Sequence, residues 1–218
     1  MKTITISCIL VAVFLIHGCR CSGDSDANND MKPTKNAFNS PGEALQQTKE
    51  HLHLILNENQ RKAFGLASDE EIMRLETRVT LPITYVSMDQ IDTTTSVDTA
   101  HGYWYGLGGG NASKIGVSVE QVDDVWVQHT IGMMKFVTAT NRHGNTSRLI
   151  EIPGLEMSFL ELTDEQRKAY TPIADYREAK LVADSLYSWD ELRRLVGTYR
   201  IRLEREFGKD FINGSLDR

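Results

Sequence analysis

The chain has 218 residues and a net charge of −6, with 40% hydrophobic and 25% charged residues, ordinary proportions for a globular protein. An acidic chain with no lysine-rich tract argues against nucleic acid as a partner. The three cysteines, Cys8, Cys19 and Cys21, all fall near the start, which leaves neither a disulfide nor a thiolate metal site for the rest of the chain.

The first stretch carries Lys2, then runs without charge from Thr3 to Ile16, and reads Ile16-His17-Gly18-Cys19 before turning polar. A positive start followed by a brief apolar core marks a secretory signal peptide. A bilayer span needs about 17–25 apolar residues, more than this core supplies. The junction resembles the lipobox of bacterial lipoproteins. Gly18 fits the small residue before the cysteine and Ile16 the branched aliphatic three before it, while His17 departs from the pattern. The resemblance covers only about the first twenty residues. It implies cleavage after Gly18, lipid such as palmitate on Cys19, and anchorage in the bacterial cell envelope, at the outer membrane or a periplasmic face. The alternative is an ordinary signal peptide cut near Cys19 or Cys21, and a secreted chain. With residues 1–18 as the leader, 200 residues remain and the loss of Lys2 takes the charge to −7. Cys8 leaves with the leader, and Cys21 is left without an assigned role.

Residues 19–39 are polar and read as a flexible tether. Ser40-Pro41-Gly42-Glu43 is a capping box with proline at the first helical position, and Leu45, Leu52, Ile55 and Leu56 follow on one face to about Asn57. A shorter helix is expected at Gln60–Phe64, and Ser68-Asp69-Glu70-Glu71 caps a third, to about Leu75. From Val79 to Val86 the period becomes two, a strand. Pro82 cannot donate to a ladder, which points to an edge or an irregularity. His101–Leu107 and Lys114–Glu120 are strands around a Gly108-Gly109-Gly110-Asn111 break. Val125–Ile131 and Met133–Thr140 are β-branched and form one long strand bent at Gly132. Arg148–Ile152 and Met157–Leu162 are two more. Thr163-Asp164-Glu165-Gln166 is a further capping box opening a helical tail. Ser188-Trp189-Asp190-Glu191 opens the longest helix, striped by Leu192, Leu195, Val196, Tyr199, Leu203 and Phe207 and stopped by Gly208.

Candidate sites are sparse. His51 and His53 are two apart, whereas helical metal ligands want three or four. His101, His129 and His143 are scattered, and only folding brings them together. The Gly106–Asn111 run lacks the third glycine and the following helix of a dinucleotide loop, so a hairpin is expected. Tyr103, Trp104, Tyr105 and Trp126 offer a stacking surface for a peptide or glycan, against which stands ordinary core and cross-strand pairing. Asp123 and Asp124 read as turn residues, or as half of a catalytic pair with no fixed second half. The five arginines from Arg193 to Arg205 alternate with glutamates, as on a solvated face. No motif calls for a cofactor or metal.

The expectation is an α+β protein. Residues 40–162 fold as N-terminal helices on a curved antiparallel sheet of about five or six strands, cystatin-like or NTF2-like, and residues 163–218 form a helical C-terminal segment. The expected role is a membrane-anchored, non-catalytic module that binds a protein, peptide or glycan. The alternative is a hydrolase-like envelope enzyme whose site is assembled from dispersed His and Asp residues.

Overall fold

The computed structural model describes residues 37–94, 97–164 and 167–208. The leader, Cys19 and most of the expected tether lie outside the described residues. Three short helices come first, and each starts where a side chain satisfies orphan amides. α1 (Pro41–Ile55) is capped by Ser40, whose Oγ accepts from Glu43 N–H at 3.2 Å. α2 (Glu58–Ala63) has a reciprocal Asn57–Gln60 box, and α3 (Asp69–Met73) is capped by Ser68. α5 (Trp189–Phe207) is capped reciprocally by Ser188 and Glu191 and ends at Gly208 with φ 83°.

Between them lies one seven-stranded sheet: β1 (Glu76–Tyr85), β2 (Gly102–Gly108), β3 (Ile115–Val122), β4 (Val125–Gly132), β5 (Thr146–Ile152), β6 (Met157–Asp164) and β7 (Arg167–Pro172). The order is β4-β3-β2-β1-β5-β6-β7. Every neighbouring pair is antiparallel except β1 with β5. Two blocks made of consecutive strands are thus joined at one parallel seam. α4 (Met134–Arg142) crosses between them in sequence.

The alternation of each strand sorts its residues onto two faces. On one face, α1 to α3 cover β2 and β3, burying Leu45, Leu52, Leu107, Ile115, Val117 and Val119. The same face of the other block lies under α5, which buries Leu192 and Val196 against Ile150, Phe159 and Tyr170. The opposite face has a single core, in which Phe136, Val137 and Ala139 of α4 pack on Leu81, Ile83, Trp104, Leu149 and Leu160. The described chain starts at the edge strand, where Phe38 exchanges backbone hydrogen bonds of 2.9 and 2.8 Å with Trp126.

Three sequence expectations are corrected. Met133–Thr140 is not the far half of a bent strand. Gly132 (φ 112°) and Met133 (φ 46°) both turn left-handed and end β4. Phe136, Val137, Ala139 and Thr140 then bury one helical face, and packing overrides their β-branched preference. Thr163 and Asp164 end β6 and do not cap a helix. Asp164 pairs with Arg167, and β7 adds a seventh strand. Among the described residues after 163, β7 and a 3₁₀ turn at Arg177–Ala179 come before the one α-helix, which starts at Trp189. The edge expected at Pro82 is met locally, although β1 is central in the sheet. Its ladder to β5 begins only at Ile83, so the missing N–H falls just outside that ladder.

Candidate functional site

The four aromatic residues do not form one exposed stacking platform. Trp104 is 0% exposed on the α4 face, 6.5 Å from the Phe136 ring. Its indole fills the space over Gly116, where a Cβ would lie 2.5 Å from Nε1. Tyr105 is buried on the other face. Tyr103 and Trp126 stack at 5.7 Å and pack half-buried with Phe38 against the core under α1. Hydrophobic burial accounts for all four.

The dispersed polar residues do better. Tyr85 ends β1 on the α4 face, and its hydroxyl donates to Glu120 of β3 across the intervening β2. The crossing is possible because the strand between carries Gly102 at that position. A Cβ there would lie 2.6 Å from Val119 O and 2.9 Å from Glu120 Cγ. The second Glu120 oxygen lies 3.1 Å from His129 Nδ1, on β4. Tyr85 N–H donates to His101 Nδ1 at 3.2 Å, and the two rings lie 5.8 Å apart. Glu151 of β5 stands opposite Tyr85 in the parallel ladder. Folding therefore sets His101 against Tyr85 and His129 against its partner Glu120, and brings two glutamates to the same end of the sheet.

The electrostatics follow from burial. Glu151 is lifted from 4.5 to about 7, first by burial and then by the charge of Glu120. The Tyr85 hydroxyl is pushed well above the ordinary tyrosine range by burial and by its bond to Glu120. Among the described residues no hydrogen bond reaches the Glu151 carboxylate. A cleft of about 270 Å³ adjoins the cluster, lined by Thr84, Tyr85, Gln90, Thr99 and His101.

Asp123 and Asp124 stay out of this cluster. Both have positive φ (49° and 64°) and make the two-residue turn between Val122 and Val125. At about 3.3 Å per residue they stand roughly 17 to 20 Å from His129 along β4. His143 instead pairs with Asp184 at 3.0 Å, beside Arg142. His51 and His53 lie on α1, where His51 bonds Gln47 one turn back. Among the described residues no three His, Cys, Asp or Glu side chains converge as metal ligands, and no helix is long and apolar enough to cross a membrane. Three of the arginines of α5 are held in ion pairs, Arg193 with Asp190, Arg200 with Asp92 and Arg202 with Glu178.

A second feature is an open groove of about 750 Å³ where α1 meets α2 and α3. Leu56, Gly65, Leu66 and Ala67 line it, with Glu58, Arg61 and Lys62. On the last turn of α1, just before Leu56 of that lining in the chain, Leu54 is 71% and Ile55 48% exposed. Arg61 ties the walls together by donating to Leu56 O at 2.9 Å and pairing with Asp69.

Sequence reasoning missed Glu120, Glu151 and Tyr85 because each sits singly in a strand. A signal was present in Arg148-Leu149-Ile150-Glu151-Ile152, where period two places Glu151 on the same face as Leu149. Comparison with protein-family models, with curated proteins and with solved structures finds no match.

Proposed function

We propose that the chain is a lipid-anchored protein of the bacterial cell envelope whose folded domain is a non-catalytic module that binds a protein or peptide. The anchor rests on Ile16-His17-Gly18-Cys19 in the sequence. The binding role rests on one observation, the groove at the end of α1 with Leu54 and Ile55 exposed on the last turn of that helix. Large aliphatic side chains clustered at a concave, part-apolar surface are characteristic of docking sites. The finer architecture belongs to the same proposal. α1 lying across β3 and β4 supports a cystatin-like or NTF2-like packing, and the parallel β1–β5 pair departs from it.

Crosslinking and pull-down from native membranes tests the binding role, using the wild type and the Leu54→Asp, Ile55→Asp double variant. Both positions are exposed, so folding is expected to be unchanged. The wild type should recover one reproducible companion and the double variant should lose it. Equal recovery by both, or none by either, counts against the groove. Mass spectrometry of wild type beside Cys19→Ala tests the anchor, with a lipid-sized mass difference expected.

One observation favours a second reading, a hydrolase-like envelope enzyme. Glu151, lifted to about 7, shares the end of the sheet with Glu120, His101 and His129, and a carboxyl group titrating near neutrality suits acid–base work. This reading requires hydrolysis of an ester, peptide or glycoside that disappears in Glu151→Gln. A panel without such turnover removes it.

A further inference from the structure

The seam between the two blocks of the sheet is short. β1 and β5 share only three registered pairs: Ile83 with Leu149, Thr84 with Ile150, and Tyr85 with Glu151. Every other pair of neighbouring strands shares at least six. Pro82 has no N–H to extend the seam at one end. Beyond the other end, Val86 N–H donates to Glu151 O at 2.8 Å. A ladder of this length depends on what its side chains do.

Its two faces differ. On the face toward α5, Thr84 is tied down. Its hydroxyl lies 2.6 Å from Thr99 O and 2.9 Å from Val97 O, and it accepts from Arg148 Nη1 at 2.8 Å. On the face toward α4, two carboxylates, Glu151 of the last pair and Glu120 of β3, meet too few donors. The Tyr85 hydroxyl is given to Glu120. The titratable groups around Glu151 are Tyr85 from β1, Glu120 from β3 and Tyr176 from the segment after β7. His129 from β4 reaches Glu120, and His101 from the start of β2 lies against Tyr85. No lysine or arginine pairs with either glutamate among the described residues.

We propose that this seam is a proton-controlled latch. With a proton on Glu151 the β1–β5 ladder is closed, and with Glu120 and Glu151 both charged it frays from the Tyr85–Glu151 end. Like charges repel most strongly where water is scarce, and three pairs give little to resist them. The core of Leu81, Ile83, Leu149 and Leu160 under α4 keeps the blocks together while the end opens. Burial and the Glu120 charge place the change near neutrality. The latch lies on a different part of the molecule from the groove of α1 to α3 and does not depend on the binding role.

Amide hydrogen exchange on the full chain tests it between pH 5.5 and 8, with each rate divided by its intrinsic value. Protection of Val86 and Glu151, whose amides face the seam, should fall about tenfold or more as pH rises, while the β3–β4 and β6–β7 hairpins hold steady. Glu151→Gln should keep the acid-side protection throughout. Constant protection at the seam, a fall shared equally by all strands, or a fall that survives in Glu151→Gln each overturns the latch. If Glu151→Gln does not fold, Glu120→Gln takes its place. Removing the opposing charge should shrink the fall and move it to lower pH, and an unmoved fall is equally fatal.

Discussion

Glu151 and Glu161 sit on neighbouring strands, β5 and β6, on opposite faces of the sheet, and they meet burial in opposite ways. Glu161 is only 2% exposed, yet donors surround its carboxylate. Ser147 Oγ donates to it at 2.8 Å and the Tyr170 hydroxyl at 3.2 Å, and Lys168 Nζ lies 3.4 Å away. That charge is written into its neighbours, since the Tyr170 hydroxyl is pushed upward by burial and then by Glu161. Glu151 has no such company and is lifted to about 7. The difference shows that burial alone does not decide whether a carboxylate is tolerated. The donors provided with it do.

The largest expected effect comes from breaking the satisfied site. Glu161→Ala leaves two hydroxyls and an ammonium facing a cavity. It should cost about 3–5 kcal/mol in urea denaturation; a loss under about 1 kcal/mol would mean the donors find water instead.

The opposite sign is expected at Glu151. Its folded-state value lies above the unfolded one, so the folded chain keeps a proton that the unfolded chain has released. Stability should therefore fall as pH rises from 4.5 to about 7 and level off above. At about 1.4 kcal/mol per pH unit, the upper bound on that fall is about 3.5 kcal/mol. Glu71 and Glu191 are held below the usual range by bonds from the backbone N–H groups of Ala67 and Ser188. Their contribution is lost only below the ordinary carboxylate value, outside this window. Glu151→Gln should be flat across the window and more stable than wild type at pH 8; a variant that tracks wild type at every pH would erase the contrast with Glu161.

A smaller effect sharpens the same point from a distance. Gly102→Ala places a methyl group 2.9 Å from Glu120 Cγ and 2.6 Å from Val119 O. It should cost about 1–3 kcal/mol through overpacking and move Glu120 off Tyr85. With Glu120 displaced, the Glu151 midpoint should drop. An unchanged midpoint would assign the whole shift to burial.

Local signals in the sequence located much of this fold. Ser40, Ser68 and Ser188 announce helix starts because a cap involves residues only three apart. The seam was not legible, because pairing of β1 with β5 joins residues 66 positions apart, as Ile83 with Leu149 shows. Four aromatic side chains read either as a stacking surface or as core and cross-strand packing, and the topology decides for packing, with α1 and α4 covering them from opposite sides. Met133–Thr140 misled because its β-branched residues fit a strand, while the left-handed turn at Gly132 and Met133 is invisible to periodicity. Thr163-Asp164-Glu165-Gln166 has the letters of a cap, but Thr163 and Asp164 belong to β6, a reminder that a four-residue motif carries little information. His101 and His129 were noticed without their tyrosine and glutamate partners, since each partner comes from a different strand.

Carbon-13 NMR of the Glu151 side-chain carboxyl, followed from pH 3 to pH 9 in the intact protein, addresses the unpartnered carboxylate without any substitution. We expect a midpoint near 7, with the Tyr85 and Ile152 amides shifting in step. A midpoint at 4.5 would show a solvated, ordinary glutamate and leave the seam without its proton.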